Sequence, residues 1–148
     1  MIEYLLFDLG NVLVELKGMS FLREIYPNLS DSDIKRKWVE IESVKKYETG
    51  KINTENFLKQ ISSELGVNLT KDESYRLFES FVGEVYKGTV DFLRQVKKRY
   101  KIGCFSNTNP LHISKLRKTN SFLDEFDDIF LSYKIGYTKP QIEAYEHV

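Results

Sequence analysis

The sequence predicts an α/β fold: a parallel sheet interrupted after its first strand by an all-helical insertion. Three observations carry that reading. A short continuous apolar run, Tyr4-Leu5-Leu6-Phe7, ends in Asp8, as strands covered on both faces do. Residues 18 to 81 then show helical periodicity with capping signals between segments. Two further apolar runs, Ile102 to Phe105 and Asp128 to Ser132, follow later, and each precedes a signal that opens a helix.

Taken in order, the first helix of the insertion runs from about Met19 to Tyr26 and stops at Pro27-Asn28. The second follows Ser30, carries Asp31 and Asp33 in its first turn, and keeps Ile34, Trp38, Ile41 and Val44 on one stripe as far as Gly50. A third begins after Asn53, places Phe57, Leu58, Ile61 and Leu65 inward, and closes at Gly66. Thr70-x-x-Glu73 is a capping-box pattern that opens a fourth, with Leu77, Phe78 and Phe81 inward. Thr89 to Arg99 is a helix feeding the second strand. Asn109 as N-cap and Pro110 at the first helical position announce another, through about Lys118. After the third strand, Thr138-Lys139-Pro140 opens a last helix. The division expected is residues 1–17 with 82–148 as one discontinuous α/β unit, and 18–81 as the helical block.

Right-handed crossovers would lay the three strands side by side with their carboxyl ends on one edge, where α/β proteins hold ligands. Asp8, Ser106 with Asn107 and Thr108, and Lys139 would converge there. A carboxylate, a hydroxyl near a helix N-terminus and a cation suit a phosphoryl group. Lysine at a helix N-terminus opposes the dipole at a cost of about 0.3–1 kcal/mol, and an adjacent anion reverses that sign. Taken singly, Asp8 could cap a turn, Ser106 and Asn107 could be turn residues, and Lys139 could be solvated. Their recurrence at corresponding strand ends favours the joint reading.

Bulk properties narrow the classes. Lysine plus arginine and aspartate plus glutamate both total 22, so nothing pulls the chain toward nucleic acid or an anionic membrane. The single cysteine, Cys104, sits in an apolar run and reads as a buried thiol in a reducing compartment. The N-terminal run is stopped by Asp8 and has no basic segment before it, so neither a signal peptide nor a membrane span is expected and the location reads as cytoplasmic. His112 and His147 are too isolated to suggest a metal site.

The three motifs, in this order, resemble the haloacid dehalogenase-like (HAD) hydrolase superfamily. "FDLGNVLV" from Phe7 is similar to its first motif, "CFSNT" from Cys104 to its second and "GYTKPQIEAY" from Gly136 to its third, with the helical block where that family inserts its cap. "YETGKINTENF" and "SNTNPLH" resemble the branch acting on small sugar phosphates. The resemblance implies a Rossmann-like core and a phosphatase in which Asp8 is the nucleophile and forms an aspartyl-phosphate. Ser106, Asn107 and Lys139 would bind phosphate, and the Asp8 carboxylate with the Gly10 carbonyl would hold Mg²⁺. The cap would choose a small phosphorylated metabolite. Tyr47 to Gly50, in a cap loop, and His112 are candidate substrate contacts.

Two departures accompany the resemblance. Most phosphatases of the family carry a second aspartate, the general acid, where this chain has Gly10, and Glu48 from the cap is the candidate replacement. Gly10 is expected to let the backbone turn sharply and bring its carbonyl to the metal. The chain also reaches Val148 before the acidic fourth motif, so a truncated product is expected, with the first strand an exposed apolar edge able to pair with a second copy. The alternatives are a 2-haloacid dehalogenase-type hydrolase, in which the carboxylate attacks carbon without metal, and a non-catalytic binding module of the same fold.

Overall fold

The computed structural model describes residues 2–148. Along the chain come β1 (Tyr4–Phe7), β2 (Val14–Leu16), α1 (Gly18–Ile25), α2 (Asp31–Glu40), α3 (Glu42–Glu48), α4 (Thr54–Glu64) and α5 (Lys71–Ser80). They are followed by β3 (Val82–Val85), α6 (Thr89–Lys97), β4 (Lys101–Ser106), α7 (Pro110–Thr119), a 3-10 turn at Phe122–Glu125, β5 (Asp128–Leu131), α8 (Ser132–Ile135) and α9 (Ile142–Tyr145). None of the described helices is long and apolar enough to cross a membrane.

β1, β4 and β5 form the expected parallel sheet in the order β1-β4-β5. Phe7 pairs with Cys104 and Ser106 with Leu131, and this register aligns the carboxyl ends that carry Asp8 and Ser106. Leu93 from α6, Ile113 and Leu116 from α7, and Phe122 and Leu123 from the 3-10 turn bury the sheet. Cys104 is fully buried, and burial pushes its thiol up to about 12, so it packs and does not react. β1 lies at the edge, as expected, with Leu6 41% exposed.

The helical block has its own apolar cluster, centred on Ile34, Tyr47, Ile61 and Phe78. Its caps are those the sequence announced. Ser30 accepts from the Asp33 N–H, Asn53 from the Asn56 N–H, and Thr70 and Glu73 complete a reciprocal capping box. The expected single helix from 31 to 50 is instead two. Ile41 is extended (φ −62°, ψ 127°) and ends α2 while opening α3. The break re-aims α3 so that Tyr47 stacks on Phe57, with ring centroids 4.3 Å apart. Tyr47 thus belongs to the packed interior, not to a substrate-facing loop.

Two strands were not legible in the sequence. β2 and β3 pair antiparallel, Val14 with Val85 and Leu16 with Val82, and the Lys17 N–H donates to the Phe81 carbonyl at 2.8 Å just beyond. This ribbon ties together the points where the chain enters and leaves the helical block. The C-terminal segment also differs from expectation. Thr138 to Pro140 is a turn with a cis Lys139–Pro140 bond, and α9 begins only at Ile142.

Candidate active site

β1 delivers Asp8, and β4 ends in Ser106, with Asn107 and Thr108 in the loop before α7. β5 leads through α8 to the turn that carries Lys139. The Lys139 ammonium lies 3.0 Å from Asp8 Oδ2, donates to the Phe105 carbonyl at 2.9 Å, and sits 5.1 Å from the Phe105 ring centre. Asp8 Oδ1 accepts from the Leu9 N–H at 2.8 Å, so each carboxylate oxygen is oriented by a donor. The carboxylate side chain is 47% exposed and the lysine 23%, so the carboxylate is open to solvent while its counter-charge is the more buried of the two. Asp8, Ser106, Asn107, Thr108 and Lys139 all line one cavity of about 240 Å³.

The sequence model of the haloacid dehalogenase-like hydrolases matches residues 2–148. The chain belongs to the haloacid dehalogenase-like hydrolases. It is 29% identical to the D-ribitol-5-phosphate phosphatase of Bacteroides thetaiotaomicron, over 99% of this chain and 75% of that protein. The fold is similar, at a TM-score of 0.80 and 24% identity, to a HAD family enzyme of B. thetaiotaomicron solved with magnesium and inorganic phosphate, covering 99% of this chain and 77% of that one. A HAD-like hydrolase from Porphyromonas gingivalis gives a TM-score of 0.75 at 23% identity, over 99% and 74% of the two chains.

Within this HAD-like site, several side chains act differently from expectation. Lys139 precedes α9 by three residues and that helix is four residues long, so its electrostatic partner is Asp8 and not a helix dipole. The Asn107 amide faces the main chain of Lys139. Its Oδ1 accepts from the Lys139 N–H at 2.8 Å and its Nδ2 donates to the Lys139 carbonyl at 3.0 Å. Asn107 therefore positions the cation, and its amide is largely occupied before any phosphate arrives.

Gly10 is not the turning residue. Its φ is not positive. Asn11 adopts the left-handed conformation instead (φ 57°), and its Oδ1 accepts from the Leu16 N–H at 3.1 Å. A Cβ at Gly10 would lie 2.6 Å from Cδ1 of the exposed Leu16, so a side chain there would push that leucine aside. Among the described residues its carbonyl accepts no hydrogen bond, whereas the neighbouring Leu9 carbonyl accepts from Val12, Leu13 and Val14. No group of three acidic, histidine or cysteine side chains converges among the described residues. Asp8 and the Gly10 carbonyl are hard oxygen donors, and they fit an ion such as Mg²⁺ that keeps several waters and takes ligands from a substrate phosphate. Asp124, Asp127 and Asp128 belong to the opposite end of the sheet. Asp127 accepts from the Ile102 N–H and Asp128 from the Tyr4 hydroxyl.

His112 reaches the cavity wall but has both ring nitrogens engaged. Nε2 donates to the Phe78 carbonyl at 2.8 Å, which leaves Nδ1 to accept from Asn109 Nδ2 at 3.2 Å. It ties α7 to the end of α5 and is not free to bond a substrate. Burial pushes it down to about 4 from an ordinary 6.5. Between those values the unfolded chain binds a proton that the fold refuses, so this residue makes stability fall as pH drops from about 6.5 to about 4. Glu48, raised by burial, pulls the opposite way over part of the same window. Comparison with His112→Asn isolates the histidine: the variant's Tm is expected to fall less between pH 6.5 and 4.5 than the parent's.

Ser132 is a positioning residue that sequence reasoning missed. Its buried hydroxyl accepts from the Thr108 N–H at 2.9 Å and donates to the Thr108 carbonyl at 3.0 Å, fixing the loop after Ser106. The signal was present. Ser132 follows the apolar run of β5, as Asp8 follows that of β1.

Proposed function

We propose that this chain is a Mg²⁺-dependent phosphatase of small phosphorylated metabolites of the sugar-phosphate class, acting through an aspartyl-phosphate on Asp8 in the cytoplasm. The observation that carries the reading is the 3.0 Å pairing of Asp8 with Lys139 in the lining of a cavity of about 240 Å³ that Ser106 also lines. A phosphoryl group entering there meets a nucleophile and a cation together. The Asp8 carboxylate attacks phosphorus and the ester oxygen departs. Water then attacks the same phosphorus and releases Asp8. Lys139 and the Ser106 hydroxyl hold the phosphoryl oxygens and offset the charge that builds on them. Held by Asp8 and the Gly10 carbonyl, Mg²⁺ would offset the repulsion between a carboxylate and a phosphate dianion.

The similar D-ribitol-5-phosphate phosphatase supports a phosphorylated polyol or sugar as substrate. Residues 18–81 serve as the cap over the core of 1–17 and 82–148, a division supported by two apolar clusters, the second drawn from 18–81 except for Leu111 of α7. The open edge of β1 is the surface through which a second copy pairs. The test is phosphate release from a panel of sugar and polyol phosphates, D-ribitol 5-phosphate included, with Mg²⁺ and after chelation. Release that requires Mg²⁺, and a beryllofluoride adduct on Asp8, are the expected results. Chloride release from 2-chloropropionate without phosphate release, or no turnover of either kind, overturns the reading.

A further inference from the structure

A second cavity, of about 550 Å³, adjoins the first and shares Asn107 and Lys139 with it. One side is built by α2, α3 and the loop that follows, the other by the turn from Thr138 to Gln141. A phosphoryl group held at Lys139 stands at the boundary between the two, and the larger cavity has room for the remainder of a sugar or polyol ester. Its wall on the helical side carries Glu48, the last residue of α3.

The segment around Glu48 is anchored to the core on both sides. The Tyr47 hydroxyl accepts from the Leu111 N–H at 3.2 Å and lies 2.8 Å from Thr54 Oγ1. Gly50, in the left-handed conformation, passes so close to Tyr133 that a Cβ would collide with the Tyr133 carbonyl oxygen. Glu48 is therefore fixed on the wall of the larger cavity by contacts on both flanks. No hydrogen bond or ion pair stabilises its charge among the described residues. The other charged groups on this cavity are Lys46, paired with Glu42 at 3.3 Å, and Lys45, Lys51 and Lys139.

Resting on the phosphatase reading above, we propose that Glu48 is the proton donor to the departing ester oxygen, the task for which Gly10 supplies no side chain. As a carboxylate oxygen of Asp8 bonds to phosphorus, the phosphorus–ester oxygen bond breaks, and that oxygen takes the Glu48 proton and leaves as an alcohol. Water then attacks phosphorus and returns a proton to Glu48, and the bond to Asp8 breaks to give inorganic phosphate. Burial raises Glu48 to about 7, so much of it is protonated at neutral pH. A proton matters most when the leaving group is a poor one, as a sugar or polyol alkoxide is.

Glu48→Gln separates this role from a structural one. With D-ribitol 5-phosphate, kcat is expected to fall by about 10²-fold or more. With p-nitrophenyl phosphate, whose leaving group needs no proton, it is expected to fall by less than about tenfold. Glu48→Asp, which keeps a carboxyl, is expected to retain more activity on the polyol ester than Glu48→Gln does. Glutamine also removes a charge that burial disfavours. The variant's Tm should therefore exceed the parent's at pH 8, and the gain should shrink as pH falls through about 7 and vanish near pH 3, well below both the folded value and the ordinary 4.5, where the glutamate is neutral in both states. Equal losses on the two esters, no loss on either, or a lower Tm at pH 8 overturns the proposal. Failure of the phosphatase reading itself is recognised separately, because the unmodified protein would then release phosphate from neither ester, and the proposal falls with it.

Discussion

Asp8→Asn is expected to reduce phosphate release by about 10⁴-fold or more, the scale on which removal of a covalent nucleophile acts. The amide has the shape of the carboxylate and none of its nucleophilicity. It can still accept the Leu9 N–H that now bonds Oδ1, and Lys139 keeps the Phe105 carbonyl as a partner. The fold is therefore expected to survive, with a Tm close to the parent's, while the beryllofluoride adduct disappears. Phosphate itself is expected to bind at least as well, since one negative charge has left the cavity. Retained turnover on the sugar-phosphate panel would rule out Asp8 as the attacking group.

Lys139→Met is the second large effect. The methionine keeps an unbranched stem against the Phe105 ring and loses only the ammonium and its contacts with Asp8 Oδ2 and the Phe105 carbonyl. A cation aimed at a transferring phosphoryl group is worth on the order of 10³–10⁵ in rate. We expect kcat/KM to fall within that range, divided between a higher KM and a lower kcat, because the charge serves both the bound dianion and the transition state. Arginine is not expected to rescue, since its planar fork does not fit a site shaped around a single compact donor. A kcat/KM within tenfold of the parent's would show that the pairing with Asp8 is structural only.

The elements that sequence could show were those with a local cause. β1, β4 and β5 are continuous apolar runs, and the caps at Ser30, Asn53, Thr70 and Asn109 are satisfied by the side chains whose types announced them. The ribbon of β2 and β3 was hidden because Val14-Glu15-Leu16 and Val82 to Val85 are too short to show alternation, and their partners lie far apart in the chain. The break at Ile41 was hidden for a related reason. Its apolar stripe continues across the break, and the contact that the bend permits, Tyr47 on Phe57, joins residues whose neighbours do not announce it. At the site, the gathering of Asp8, Ser106 and Lys139 on one cavity was legible from residue type, from the strand ends at Asp8 and Ser106, and from the loop after the third strand that carries Lys139. The task of Asn107 was not, because a side chain's partner on another loop leaves no mark on its own neighbours.

The reciprocal contact between the Asn107 amide and the main chain of Lys139 has a consequence for how such a site changes over time. The arm that bears the ammonium is held by its peptide groups, so whatever head group occupies position 139 is carried to the same address. Evolution can exchange the cargo and alter the charge balance of the reaction without rerouting the arm. A change at Asn107 would do the reverse, leaving every reacting group in the inventory and one of them misdelivered.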